Sequence, residues 1–149
     1  MKSLVLIVFL LVANSNTKCI GIKKGVFVSI DKNFGKTIIQ RNDTIQLEAN
    51  KKLGTLFLQK IKWISDCEYI IYDTKTLKDE AGLDMSKSTF KVTFKESKNN
   101  IYDISILVQP DNFRLDMKVE KIRDEVNTNF YDTIKKYSIP ARPSMSRNR

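Results

Sequence analysis

Between Gly25 and Val119 apolar and polar residues alternate in short runs, and turn residues separate the runs. A period of two is the signature of a half-buried strand. The runs are GVFVSID (25–31), KTIIQR (36–41), DTIQLEA (43–49), then strands over 55–64 and 67–73 with a corner at Ser65-Asp66, then STFKVTFK (88–95), IYDISILVQ (101–109) and FRLDMKV (113–119). In the first run Val26, Val28 and Ile30 share a face; in the third, Ile45, Leu47 and Ala49 stand opposite Thr44, Gln46 and Glu48. Along 55–73 the odd positions, including Phe57, Ile61, Trp63, Cys67, Tyr69 and Ile71, line one side, with Trp63 and Tyr69 expected in the core. Phe90, Val92 and Phe94 share a face further on. The last two runs place Tyr102, Ile104, Ile106 and Val108, and then Phe113, Leu115, Met117 and Val119, inside.

The period then changes. Ile122, Val126, Phe130 and Ile134 recur every four residues, which predicts an amphipathic helix over 121–136 packed on the domain, with Phe130 in its seam. Pro140 and Pro143 stop it, and a basic tail expected to be disordered covers 138–149. The one long irregular stretch is 74–88. The fold class expected is therefore mainly β: an antiparallel meander of about eight strands, as a small lipocalin-like barrel or a twisted sheet, with one C-terminal helix. Closing the meander would remove the exposed edges that a long open sheet must protect.

The N-terminus bears on compartment. Leu4 to Ala13 is an unbroken apolar run after Met1-Lys2, followed by Asn14-Ser15-Asn16-Thr17-Lys18. The run is too short to span a bilayer, which takes about 20 residues, and suits the core of a signal peptide cut after Ser15. One domain then covers 16–137. An exported chain, periplasmic, outer-membrane-associated or secreted, would pair its two cysteines, Cys19 and Cys67, as a staple between the N-terminus and the body. The alternative is an envelope lipoprotein acylated at Cys19, although Lys18 stands where a small residue would precede such a cysteine. Membrane association enters only by that route.

Chemical motifs are sparse. The chain has no histidine, which excludes a Ser-His-Asp triad, a Cys-His pair and His-based zinc sites, and two cysteines cannot make a four-cysteine site. Gly35-Lys36-Thr37 is similar to the end of a phosphate-binding loop, but Ile30 holds the place of its first glycine. Asp66 with Glu68, or Asp79 with Glu80, are the carboxylate pairs that acid–base chemistry would need. The net charge of +9 comes from lysines scattered singly, a pattern of solvated faces rather than of a nucleic-acid stripe. Catalytic, cofactor-binding and metal-ligating residues are accordingly assigned to none, and no cofactor is implied.

Gly25-Val26-Phe27 resembles the Gly-x-Trp of the first lipocalin strand, with Phe27 in place of Trp. A second resemblance rests on Lys24–Phe27, Arg41–Gln46 as RNDTIQ, Gly54 and Ile61–Tyr69 as IKWISDCEY. Over about residues 19–73 these are similar to small exported bacterial proteins of unassigned function, some of which bear the name DNA topoisomerase IV. That activity needs a far larger cytoplasmic enzyme with a tyrosine nucleophile and an acidic metal site. The resemblance implies export and brings no functional residue with it. The expected function is a non-enzymatic exported binding or structural module, with an apolar small ligand or an envelope protein as partner classes. The alternative is a carboxylate-based enzyme lacking histidine. The barrel interior separates them: aromatic side chains filling it leave no site, a cavity with one or two polar groups supports binding, and a carboxylate inside such a cavity favours the enzyme.

Overall fold

The structure, a computed structural model, describes Cys19 and residues 21–137. The leader expected at 1–15 and the basic tail expected at 138–149 lie outside the described residues. Eight antiparallel strands follow one another as β1 (Gly25–Asp31), β2 (Gly35–Arg41), β3 (Ile45–Asn50), β4 (Thr55–Ser65), β5 (Glu68–Asp79), β6 (Thr89–Lys98), β7 (Ile101–Gln109) and β8 (Phe113–Arg123). Each pairs with the next, and β8 pairs with β1, so the meander closes into a barrel. Closure gives every strand a partner on both sides, although β5 meets β6 only over Glu68–Ile71.

The closing seam depends on one glycine. Gly25 has φ +133°, and a Cβ there would lie 2.3 Å from the Arg123 carbonyl oxygen. Only glycine lets β1 and β8 approach this closely. Beside it the register shifts between Val26 and Phe27, a bulge that turns Phe27 into the barrel opposite Lys121. The Lys121 ammonium reaches the Gly21 carbonyl at 2.6 Å and lies 6.0 Å from the centre of the Phe27 ring. It ties the N-terminal arm to β8.

One end of the barrel is plugged. Ile22 is fully buried and packs with Phe27, Tyr102 and Val119 in the main core, which also holds Tyr69, Phe90 and Phe94. Cys19 is bonded to Cys67 in the β4–β5 turn, with 5.3 Å between the Cα atoms. The pairing expected from the cysteine count is present, and it anchors the arm at this end. Trp63 is half-buried, its ring tilted by 44° against Tyr69 with 4.8 Å between ring centres.

The helix α1 runs Thr128–Tyr137, shorter than the 121–136 expected, because β8 continues to Arg123. Ile122 is therefore a strand residue, half-exposed, and not part of the helical seam. Its four-residue spacing to Val126 is coincidental. Val126, Phe130 and Ile134 do face the barrel: Phe130 is fully buried against Leu47 and Leu58, with Ile45, Leu56 and Leu77 around them. That packing lies on the outer face of β3 and β4, which has a consequence for the interior.

The other corrections are local. The strand expected to end at Asp73 runs on to Asp79, passing a register shift opposite Leu58–Lys60 where Asp73 has φ +50°. A bulge lets a strand exceed the usual 3–10 residues. The irregular segment shrinks to Glu80–Ser88. In β1 the interior side is Phe27 and Ser29; Val28 and Ile30 share the other face, where Val28 is buried and Ile30 is 76 % exposed. Phe113, expected inside, is 56 % exposed at the start of β8.

Candidate functional site

Because α1 covers β3 and β4 from outside, the apolar face of β3 (Ile45, Leu47) points outward and its polar face points into the barrel. Gln46 and Glu48 therefore project inward, joined by Gln59 of β4 and Arg41 of β2. The cross-strand register aligns Arg41 with Gln46, and Gln46 with Gln59. Sequence reasoning missed this polar interior. The alternation in DTIQLEA was visible, but its direction follows from which strands the helix covers.

Arg41 is 2 % exposed and sits among four aromatic rings, with its guanidinium carbon 4.4 Å from the centre of Phe27, 4.8 Å from Tyr69, 5.6 Å from Phe94 and 5.8 Å from Trp63. Cation–π attraction is largest in such desolvated settings. No carboxylate pairs with it among the described residues. Its Nη1 donates to the Tyr69 hydroxyl at 2.5 Å and to Gln46 Oε1 at 3.4 Å, while Nε has no partner. Burial lowers the arginine pKa from its ordinary value, and Tyr69 acts the other way. Tyr69 in turn donates to Gln46 Oε1 at 3.2 Å, and Gln46 Nε2 donates to Gln59 Oε1 at 3.0 Å. A hydrogen-bonded chain thus runs from the plugged end toward the middle of the barrel. Burial raises the Tyr69 pKa, so its hydroxyl stays protonated and can serve as this link.

Above that chain lies a cavity of about 170 Å³. Its walls are mainly apolar: Ile39, Ile71, Phe90, Val92, Ile104, Ile106 and Met117, with Met85 of the 80–88 segment joining them. The polar lining is Ser29, Thr37, Gln46, Glu48, Gln59 and Tyr69. Glu48 has no salt-bridge partner among the described residues. Burial pushes its carboxyl up from 4.5 to about 6, with the Gln46 amide acting in the opposite direction.

The carboxylates singled out in the sequence lie elsewhere. Asp66 meets Lys23 on the surface, and Glu68 meets Lys91 and Thr93 on the outer side of the sheet, where these contacts lower its pKa. Asp79 accepts from the Ala81 amide, and Glu80 pairs with Lys78. The structure brings neither pair to the cavity. Trp63, Tyr69, Phe90 and Phe94 do belong to or pack against the core, but they do not fill the barrel: Tyr69 and Phe90 line the cavity, and Trp63 and Phe94 lie outside its lining. Among the described residues no group of three His, Cys, Asp or Glu side chains is placed to hold a metal ion.

No protein family, curated protein or solved structure matches this chain.

Proposed function

We propose that this protein is a non-enzymatic binding module that holds a small, largely apolar ligand inside the barrel. One observation carries the reading: an internal cavity of about 170 Å³ with aliphatic and aromatic walls and a few convergent polar groups. Small-molecule sites have this character. A dry cavity of about 150 Å³ holds benzene, so the ligand, or the part of it that enters, has the size of one ring with a short substituent. The buried Arg41 chain sets the floor and gives the interior a fixed shape. The closed eight-stranded meander followed by a packed helix is the arrangement expected of a lipocalin-like barrel, and the disulfide is compatible with an exported protein. Export after cleavage near Ser15 completes the proposal.

Glu48 favours a second reading, an enzyme, because a carboxyl with pKa near 6 inside a cavity suits general acid–base work. Binding is the better reading. The other titratable group on the wall is Tyr69, whose hydroxyl is occupied by Arg41 and Gln46, and the described wall offers no nucleophile beyond the hydroxyls of Ser29 and Thr37. A titration of the full chain with propylbenzene, followed by calorimetry and thermal unfolding, tests the proposal. Saturable binding is expected, with a Tm that rises with ligand concentration. Ile106→Phe, which fills the cavity, should abolish both. Absence of binding, or binding unchanged by Ile106→Phe, would reject the barrel as the site.

A further inference from the structure

The polar groups on the cavity wall differ in what they have left to offer. Tyr69 accepts from Arg41 and donates to Gln46, and Gln46 donates to Gln59. Arg41 is 2 % exposed against the rings of Phe27 and Tyr69 and does not line the cavity. A carboxylate ligand would find no accessible positive charge. Glu48 faces the opposite situation: it lines the cavity and has no cation within salt-bridge distance among the described residues.

We propose that the ligand carries a protonated amine, and that the Glu48 carboxylate receives it. This deepens the reading of the barrel as a binding module and rests on it. A half-buried carboxylate in a mainly apolar wall without a counter-charge is costly, and an ammonium group supplies both the missing charge and up to three donors. The apolar walls take the ring or short chain that the volume allows. An anionic ligand would add a second negative charge to the same space and is disfavoured.

The titratable and charged groups around Glu48 are few. Its own strand contributes none to the wall besides itself; β5 contributes Tyr69, and β2 contributes Arg41 beyond Tyr69. The wall residues of β1, β4, β6, β7 and β8 are Ser29, Gln59, Phe90, Val92 and the aliphatic and Met side chains, none of which titrates. The free carboxyl has its pKa near 6, and an amine needs it ionised. Amine affinity should therefore fall about tenfold between pH 7.5 and pH 5, the fraction ionised at pH 5 being roughly one tenth.

Calorimetric titration of the full chain with 2-phenylethylamine, propylbenzene and 3-phenylpropanoate tests the assignment. The amine should bind tightest, at least about tenfold more tightly than propylbenzene at pH 7.5, as a charge-assisted hydrogen bond warrants. Its affinity should drop with acid while that of propylbenzene stays level. Glu48→Gln should erase the amine's advantage over propylbenzene and the pH dependence of that advantage. If propylbenzene binds and the amine binds no better, or if Glu48→Gln leaves the preference intact, the amine assignment is wrong and the barrel reading stands. Preferential binding of 3-phenylpropanoate overturns it likewise. If none of the three binds, both fall. Should Glu48→Gln not fold, the ratio of amine to propylbenzene affinity across pH in the unaltered chain decides: a flat ratio overturns the assignment.

Discussion

Replacing Glu48 by Gln should make the ligand-free protein more stable at neutral pH. The carboxyl sits in the cavity wall with its pKa raised from 4.5 to about 6, chiefly by burial. A raised carboxyl pKa means that the folded state binds the proton more tightly than the unfolded chain does. The stabilisation from that proton is fully present below about pH 4.5 and is lost as pH rises through about 6. At pH 7.5 the folded protein thus carries a half-buried carboxylate that costs at most about 2 kcal/mol relative to the unfolded chain. Gln keeps the shape and the hydrogen-bonding amide and removes the charge. Glu68, Asp116 and Asp124 have lowered pKa values and give the opposite slope, but they are common to both proteins and cancel in the difference. Urea denaturation at pH 4 and pH 7.5 reads the effect directly. We expect the two proteins to differ little at pH 4, and Glu48→Gln to gain up to about 2 kcal/mol at pH 7.5. If the substitution instead lowers stability at pH 7.5, Glu48 is ionised and well satisfied, and the description of an uncompensated carboxyl in the cavity is wrong.

Two further outcomes test the packing. Phe130→Ala should cost about 3–5 kcal/mol, since the ring is fully buried between α1 and the outer face of β3 and β4; an unchanged Tm would show that the helix does not hold to the barrel. Replacing Cys19 and Cys67 by Ser opens a loop of 48 residues and should cost roughly 4 kcal/mol on the chain-entropy account; intact mass of the purified protein should show no free thiol, and a lipid adduct on Cys19 would contradict the bond.

The sequence made the strands legible because each carries its own period, and the turn residues cut them cleanly. It left open which face was inside. In a barrel with nothing outside, Ile45, Leu47 and Leu58 would point inward; here α1 covers them, so their polar neighbours Gln46, Glu48 and Gln59 enter the core instead. Periodicity is blind to that choice, which depends on where a helix some 80 residues later comes to rest. Arg41 was hidden for the same reason: on its own, an arginine at a strand end looks solvated, and only the four surrounding rings from β1, β4, β5 and β6 explain its burial. The helix start was misplaced because Val119–Arg123 continues β8 beside β1 and β7, a pairing that overrides the four-residue spacing from Ile122. The strand extension past Asp73 was missed because Thr74–Asp79 lacks apolar alternation and is held by its partner β4. By contrast, the core aromatics Tyr69, Phe90 and Phe94 and the Cys19–Cys67 staple follow from local pattern and count, and the structure contains both, whereas Trp63, expected in the core, is only half-buried against it.

The central claim is that the barrel interior, and not its surface, is the binding site. Methyl-resolved NMR of the full chain, labelled at Ile and Met and titrated with propylbenzene, addresses it most directly. The account predicts saturable shifts confined to the methyl groups of Ile39, Ile71, Ile104, Ile106, Met85 and Met117, which line the cavity, with Ile30 and Ile64 on the surface unmoved. Shifts limited to surface methyl groups, or no shift at saturating probe, would contradict it.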